Sequence, residues 1–130
     1  MEVELVSPER ILYSGEGTRV ILRTLGGGDI AFLPGHAPFI GALDIHPVRI
    51  HLESDEEIVV AVHGGFVEVS ANRVTILSDV AELSEHIDED RAKAAKDQAE
   101  AALRENPDDD EAEAAVKRAA VRLHVVSNVR

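Results

Sequence analysis

Apolar residues in the first 83 positions recur every second residue in short runs, which is the period of a β-strand with one buried face. Val20 and Leu22 show this alternation, whereas the unbroken apolar run from residue 58 to 62 indicates a strand buried on both faces. Turn-forming residues separate the runs at intervals of about ten residues, which favours a sandwich or barrel. No helical stretch long enough for a crossover lies between them, so a parallel sheet is not expected. The clearest turn signals are Gly26-Gly27-Gly28-Asp29, Pro34-Gly35, Ser54-Asp55, Gly64-Gly65 and Ala71-Asn72-Arg73.

The period changes to three and four residues beyond Ile87, where glycine is absent and alanine and charged residues predominate. Asp88 is a good N-cap candidate for a first helix that ends at about residue 104 or 105. Asn106-Pro107 breaks the pattern, and a second helix is predicted from about residue 110 to 126. So short a connection makes the pair antiparallel. The facing stripes are Ala92, Ala95, Ala99, Ala102 and Leu103 on the first helix, and Ala112, Val116, Ala119, Leu123 and Val126 on the second.

The predicted contact between the two helices consists largely of alanine. Burying a methyl group contributes about 0.8 kcal/mol, against roughly 1.5–3 kcal/mol for a leucine side chain. Because alanine has high helix propensity, each helix is expected to form while the packing between them stays weak. Such a hairpin is able to detach or open at modest cost. A permanently docked tail fits the same residues, and the pattern does not decide between the two.

The composition shifts near residue 84, from valine, isoleucine, leucine and glycine to alanine, glutamate, aspartate and lysine. We therefore expect two units, a β-sandwich over residues 1–84 and a helical hairpin over residues 85–130.

The charge of the chain limits the classes of molecule that it is expected to bind. The formal net charge is −12, so phosphate backbones and anionic lipid would both be repelled. Aromatic residues make up only 3% of the chain, which disfavours base stacking. Cysteine is absent, and there is neither a long apolar run nor a signal-peptide pattern. We expect a soluble, intracellular protein that binds a basic protein partner, with no nucleic acid and no direct membrane insertion.

Motifs for metal binding or catalysis are also lacking. No two histidines have the four-residue spacing of a helical zinc site, so no metal is expected. There is no Gly-x-Ser-x-Gly elbow and no phosphate loop, and the glycine run at residues 26–28 ends in Asp29, whose charge repels phosphate. The six histidines are His36, His46, His51, His63, His86 and His124.

Four segments resemble the epsilon subunit of F-type ATP synthases, and they occur in that family's order over essentially the whole chain. The segment GDIAFLPGHAP at residues 28–38 is the most recognisable of them. The others are VSPERILYSG at residues 6–15, GGFVEV at residues 64–69 with the strand that follows, and the hairpin entry formed by Ala81-Glu82, Ile87-Asp88 and Arg91-Ala92.

The resemblance implies an all-β, flattened N-terminal sandwich of about ten strands, which contacts the gamma subunit and the ring of c subunits. It implies a C-terminal antiparallel α-helical hairpin that folds onto the sandwich or extends along gamma into the alpha/beta catalytic head, where it inhibits ATP hydrolysis. The chain would then be a non-catalytic central-stalk subunit that couples proton-driven rotation to ATP synthesis and requires no cofactor. Its place would be the cytoplasmic side of a bacterial plasma membrane, as a peripheral subunit.

Some bacterial members of this family bind ATP where the two helices meet, and the resemblance carries that site over as a hypothesis. The family pattern Ile-Asp-x-x-Arg-Ala is present on the first helix, and two arginines four residues apart are present on the second. Guanidinium groups so spaced share a helix face and suit phosphate oxygens. The implied residues are Glu82, Ile87, Asp88, Arg91, Ala92, Arg118 and Arg122.

One departure weakens this match. Gln98 stands where ATP-binding relatives can carry a further arginine, and the nearby Asp97 and Glu100 repel phosphate. The alternative is that the arginines only pair with the acidic first helix.

The segment Pro34, Gly35, His36, Ala37 and Pro38 predicts a stiff, shaped loop, because proline restricts both its own backbone and the residue before it. We interpret it as part of a rotor-facing surface, with a plain tight turn as the alternative. Two other functions stay open at this point. One is a small hydrolase that uses His36 or Asp29, and the other is a stand-alone nucleotide sensor.

Overall fold

A computed structural model describes residues 1–128 of the chain. Within these residues it contains eight strands, a short 3₁₀ helix and two α-helices. The strands are β1 Glu2–Ser7, β2 Arg10–Glu16, β3 Arg19–Thr24, β4 Gly28–Phe32, β5 Phe39–His51, β6 Glu57–Ser70, β7 Arg73–Leu77 and β8 Ala81–Leu83. The 3₁₀ helix is Ser84–His86, and the helices are α1 Glu89–Glu105 and α2 Asp110–Ser127.

The strands form one sheet in the order β2-β1-β7-β6-β5-β3-β4, with β8 paired to β6 outside this path. Each described pair is antiparallel except β1 with β7, which is parallel. The sheet is thus predominantly antiparallel, in agreement with the expectation that no parallel sheet forms, and β1 with β7 is the exception among the described pairs. The five strands between β1 and β7 supply the long return path that a parallel pair requires.

The sandwich followed by a helical hairpin is confirmed, with eight described strands where about ten were expected. The difference arises because β5 has 13 residues and β6 has 14, so each spans two stretches of sheet. The predicted strands at residues 58–62 and 66–69 are both parts of β6.

Strand β6 changes its buried face halfway along. Val60 and Val62 are buried in the first half, whereas Val67 and Val69 are buried in the second, so the inward positions shift from even to odd numbers. The shift occurs at Gly64-Gly65, where φ is +86° and +123°. Both halves consequently line one core. That core contains Val3, Leu5, Leu12, Val20, Leu22, Phe32, Leu43, Val48, Ile50, Val60, Val62, Val67, Val69, Val74 and Ile76.

The outer face of the first half of β6 carries the hairpin. Val59 and Ala61 form a second apolar cluster with Val121 and Val125 of α2. This confirms that the run from residue 58 to 62 is buried on both faces. The α2 residues in this cluster differ from the predicted seam, so α2 has two apolar faces, one for α1 and one for the sheet. Of the two helices, only α2 packs extensively on the strands.

Aspartate caps begin both helices. The side chain of Asp88 accepts a hydrogen bond from the Arg91 amide at 3.0 Å, and that of Asp109 accepts one from the Ala112 amide at 3.0 Å. The contact between the helices consists largely of alanine, as predicted. Its buried residues are Ala92, Ala99, Ala112 and Ala119, while the other predicted seam positions are half-buried except Val126, which is buried.

We expect Gly65→Ala to destabilise the protein by more than about 3 kcal/mol. An added Cβ would collide with the carbonyl oxygen of Leu77 and lie 2.9 Å from the Ser78 Cα, at a positive φ that alanine disfavours. Urea unfolding followed by circular dichroism measures the loss.

Gly26→Ala is the matched control, because Gly26 has φ +72° but a Cβ there meets nothing within 4 Å. Its cost should be only the backbone strain of about 1–2 kcal/mol. Equal losses of unfolding free energy in the two variants would show that the contact of Gly65 with Leu77 and Ser78 does not require glycine.

Candidate functional site

A cavity of about 370 Å³ opens where the last strand leads into the hairpin. This volume falls within the range of about 300–1,000 Å³ that is usual for small-molecule sites. Its walls come from β8, the 3₁₀ helix, the start of α1 and the second half of α2. The lining residues are Glu82, His86, Ile87, Asp88, Arg91, Ala92, Ala95 and Arg122.

Glu82 connects the sandwich to the hairpin across this cavity. In β8 it pairs with Ala61 of β6, which lies on the outer, hairpin-facing side of the sheet. Its Oε1 accepts a hydrogen bond from Nε of Arg122 at 2.7 Å. The same oxygen accepts another from Nε2 of His63 at 2.7 Å. Two donors, one from the sheet and one from α2, thus converge on one carboxylate oxygen.

These contacts lower the pKa of Glu82 from 4.5 to about 2. The hydrogen bond from His63 is the largest cause, and the hydrogen bond and charge of Arg122 add to it against the opposing effect of burial. Glu82 is therefore charged at neutral pH. Since its pKa is lower in the folded state, the stabilisation is present above pH 4.5 and is lost as the pH falls toward about 2.

Arg91 and Asp88 line the side of the cavity that belongs to α1. One Asp88 oxygen is occupied by the helix cap, which leaves the other to accept a bond from a ligand. Within residues 1–128 the guanidinium of Arg91 forms no hydrogen bond or ion pair. With Arg122 it presents two cations beside two carboxylates, a set that suits a ligand with both anionic groups and amino or hydroxyl donors.

The structure brings six of the seven residues implied for ATP binding to this one cavity. Arg118 lies outside it, and its Nη2 pairs with Oε1 of Glu111 at 2.6 Å. Although Arg118 and Arg122 lie one turn apart on α2, only Arg122 faces β8. The assignment of these seven residues to ATP remains a prediction. The six are Glu82, Ile87, Asp88, Arg91, Ala92 and Arg122.

Sequence reasoning missed His63, His86 and Ala95. His86 and Ala95 line the cavity, and His63 contacts Glu82 from behind it. A signal for His63 was available, because it lies two residues after Ala61 and therefore on the same face of β6. Its pairing with Glu82 was not accessible, since it depends on the register between β6 and β8.

The predicted rotor-facing loop lies between β4 and β5 and is largely exposed. Gly35 has φ +80°, and its amide donates to Oδ1 of Asn72 at 2.9 Å. The ring of His36 contacts the Phe32 ring edge-on with centroids 4.8 Å apart. These contacts hold the loop in shape, and its role at an interface remains a prediction. The loop comprises Pro34, Gly35, His36, Ala37 and Pro38.

An apolar row that was not predicted crosses the outer face of the sheet beside the second half of β6. Phe66, which is 61% exposed, pairs with Leu77 on one side and Ala42 on the other. Paired residues on adjacent strands share a face, so the row is continuous over five strands and the residue that follows β3. In spatial order it comprises Ile11, Val6, Leu77, Phe66, Ala42 and Leu25.

The residues considered for a hydrolase are engaged elsewhere. Asp29 accepts a hydrogen bond from Arg23 at 2.8 Å, which lowers the pKa of Asp29, and Nδ1 of His36 lies 2.7 Å from the Ala37 carbonyl. Among residues 1–128, no group of three or more His, Asp or Glu side chains is placed to hold a metal ion. None of the helices described is long and apolar enough to span a bilayer.

The chain matches two family models in succession. Residues 1–84 match the beta-sandwich domain of the ATP synthase delta/epsilon chain, and residues 85–127 match its long alpha-helix domain. An ATP synthase epsilon chain from Streptomyces avermitilis is 41% identical over 127 residues, which are 98% of this chain and 95% of that one. The epsilon chain from Brevibacillus brevis is 50% identical over 105 residues, 81% of this chain and 79% of the relative.

Solved structures share the fold at lower identity. A chain of the Euglena gracilis mitochondrial ATP synthase, in a structure of OSCP, F1 and the c-ring, superposes with a TM-score of 0.71 at 20% identity. That match covers 98% of this chain and 77% of the other. Because both domain models and the long, highly identical relatives agree, this chain belongs to the ATP synthase delta/epsilon family and, within it, to the non-catalytic epsilon chains.

Proposed function

We propose that this epsilon chain docks by its sandwich on the rotor of a bacterial ATP synthase and restrains ATP hydrolysis through its hairpin, with ATP as a ligand that keeps the hairpin folded. Its place is the cytoplasmic side of the plasma membrane, as a peripheral subunit. The two working units are residues 1–84 and 85–130. The observation that carries the proposal is the cavity whose walls are shared by Glu82 of the sandwich and Arg122 of the hairpin.

A ligand in this cavity favours the folded hairpin because the site exists only while α2 lies on the sheet. When α2 leaves, Arg122 leaves with it and Glu82 loses its cationic partner. A ligand that binds one conformation only stabilises it by an amount that grows with ligand concentration. Arg91 and Arg122 supply cations for phosphate oxygens, and the carboxylates of Glu82 and Asp88 supply acceptors for amino and hydroxyl groups.

The hairpin is held weakly enough to be released. Among the described residues, its apolar contact with the sheet consists of Val59 and Ala61 against Val121 and Val125, with Ile45 and Ile87 partly buried beside them. Alanine and valine contribute little buried area each. The polar contacts that add to it are Glu82 with Arg122 and Arg49 with His124. This small contact supports a hairpin that exchanges between folded and extended forms.

The rotor contact is assigned to the apolar row and to the loop of residues 34–38. Monomeric proteins rarely expose a long apolar strip without a partner. The row lies on the second half of β6, and the hairpin occupies the first half, so neither blocks the other. We assign gamma to the row and the c subunits to the loop, while the extended hairpin reaches the alpha/beta head.

Mg-ATP titrated into the isolated protein in a calorimeter should bind saturably, and Arg122→Ala should weaken binding at least tenfold, because a hydrogen bond to a charged group is worth roughly 1.5–3 kcal/mol. Arg118→Ala should bind ATP nearly as well as the original chain, since Arg118 is paired with Glu111 outside the cavity. The double substitution should therefore bind ATP about as weakly as Arg122→Ala alone.

Arg104→Ala is the control, because it removes an arginine from the hairpin without touching the cavity. Absence of binding up to millimolar ATP would overturn ATP as the ligand. Undiminished affinity in the double variant would place the ligand elsewhere.

Val125→Asp should release the hairpin from the sheet. Val125 is fully buried in the contact with β6, and an unpaired charge there costs several kcal/mol. In an ATP synthase reconstituted with this subunit, ATP hydrolysis should fall, because a released hairpin inhibits. Hydrogen exchange at the amides of α2 should rise in the same variant.

Ala101→Asp, at an exposed position of α1 outside the walls of the cavity, is the matched control and should leave both readouts unchanged. Fast hydrogen exchange in Val125→Asp with undiminished ATP hydrolysis would refute the inhibitory role while leaving the weak docking intact.

Phe66→Ser should reduce binding to a gamma–c-ring complex about tenfold or more, because exposed aromatic residues at the centre of an interface carry much of its energy. Surface plasmon resonance with the immobilised complex measures the change. Glu53→Ser, which replaces an exposed residue in the turn between β5 and β6, is the control. Equal affinities for Phe66→Ser and the original chain would remove the row from the rotor contact.

A further inference from the structure

The polar side chain of His63 is buried behind the cavity and does not line it. Only 2% of its side chain is exposed, and its Nε2 lies 2.7 Å from Oε1 of Glu82. Its Nδ1 is buried and has no hydrogen-bond partner within the described part of the chain. A buried polar atom without a partner is costly, so the position is not explained by packing alone.

On β5, His63 has an apolar neighbour that belongs to the hairpin contact. It pairs across β5 with Ile45, which packs against the cluster of Val59, Ala61, Val121 and Val125. An apolar side chain at this position would simply extend that cluster. The imidazole instead lies beside the apolar contact and forms one hydrogen bond, to Glu82.

The chemistry of that bond fixes its direction. A carboxylate oxygen can only accept a hydrogen bond, so Nε2 of His63 carries a hydrogen atom and is the donor. Nε of Arg122 donates to the same oxygen, which leaves Oε2 of Glu82 without a protein partner among residues 1–128. Oε1 of Glu82 thus accepts the hydrogen bonds from His63 and Arg122, and Oε2 is available to a ligand.

We infer that His63 is a positioning residue of the cavity, which fixes the Glu82 carboxylate so that Oε1 holds Arg122 while Oε2 is presented to the amino or hydroxyl group of a bound nucleotide. The ligand part of this inference rests on the proposed function, whereas the part that concerns Glu82 and Arg122 does not.

The charge state of Glu82 agrees with this arrangement. The hydrogen bond from His63 is the largest cause of the low pKa of Glu82, ahead of the contributions of Arg122. The other ionisable groups that face the cavity are His86 from the 3₁₀ helix, and Asp88 and Arg91 from the start of the first helix. Within residues 1–128, neither Asp88 nor Arg91 forms a hydrogen bond with Glu82. The side chain of Glu82 is held by His63 from the sheet and by Arg122 from α2.

The test compares His63→Gln with His63→Leu. The side-chain amide of glutamine can donate from nearly the position of Nε2, whereas leucine fills the space but cannot donate. Carboxyl NMR of Glu82 is recorded during an acid titration. The pKa of Glu82 should be about 2 in the original chain and in His63→Gln. It should rise toward 4.5 in His63→Leu. Thermal unfolding checks that all three proteins are folded.

ATP affinity is the second readout. His63→Leu should bind ATP about tenfold more weakly, and His63→Gln should restore most of the affinity, because the lost hydrogen bond is to a charged group. If His63 only filled space, His63→Leu and His63→Gln would not differ in this way in their affinity for ATP.

The two readouts separate the inference from the proposed function. If the original chain binds no ATP, the proposed ligand fails, and the titration of Glu82 still decides whether His63 positions it. If the pKa of Glu82 is the same in His63→Leu as in the original chain, or if glutamine behaves like leucine, the positioning role is overturned.

Discussion

The change of buried face at Gly64-Gly65 is the constraint on which the rest of this structure depends. It lets a single strand, β6, line one core with both of its halves while each half turns a different outer surface to the exterior. The first half receives α2, and the second carries the exposed apolar row. The sandwich, the hairpin and the apolar row therefore meet on one continuous strand. Glycine is required at residue 65, because any side chain there would strike the neighbouring strand.

Local chemistry made much of the fold predictable from the sequence. The cap at Asp88 and the break at Asn106-Pro107 depend on near neighbours in the chain, and the structure places the helix ends accordingly. The buried run at residues 58–62 was readable because two covered faces leave no polar position. The second apolar face of α2 was harder to see, since Val121 and Val125 interleave with the seam toward α1.

The parts that escaped prediction depend on register between distant strands. His63 meets Glu82 only because β8 pairs with the first half of β6, and the parallel pair of β1 with β7 joins residues about seventy positions apart. Arg118 was grouped with Arg122 because residues four apart share a helix face. The face is wide enough, however, that one arginine reaches β8 and the other reaches Glu111.

The apolar contact beneath α2 has a further consequence for solubility. In the proposed extended form of the hairpin, Val59 and Ala61 would lose the cover that Val121 and Val125 give them. A larger or more aromatic patch would then be prone to self-association. These two side chains are small, and the net charge of −12 makes copies of the chain repel one another. The modest contact on which the proposed release depends would thus also limit self-association of the released form.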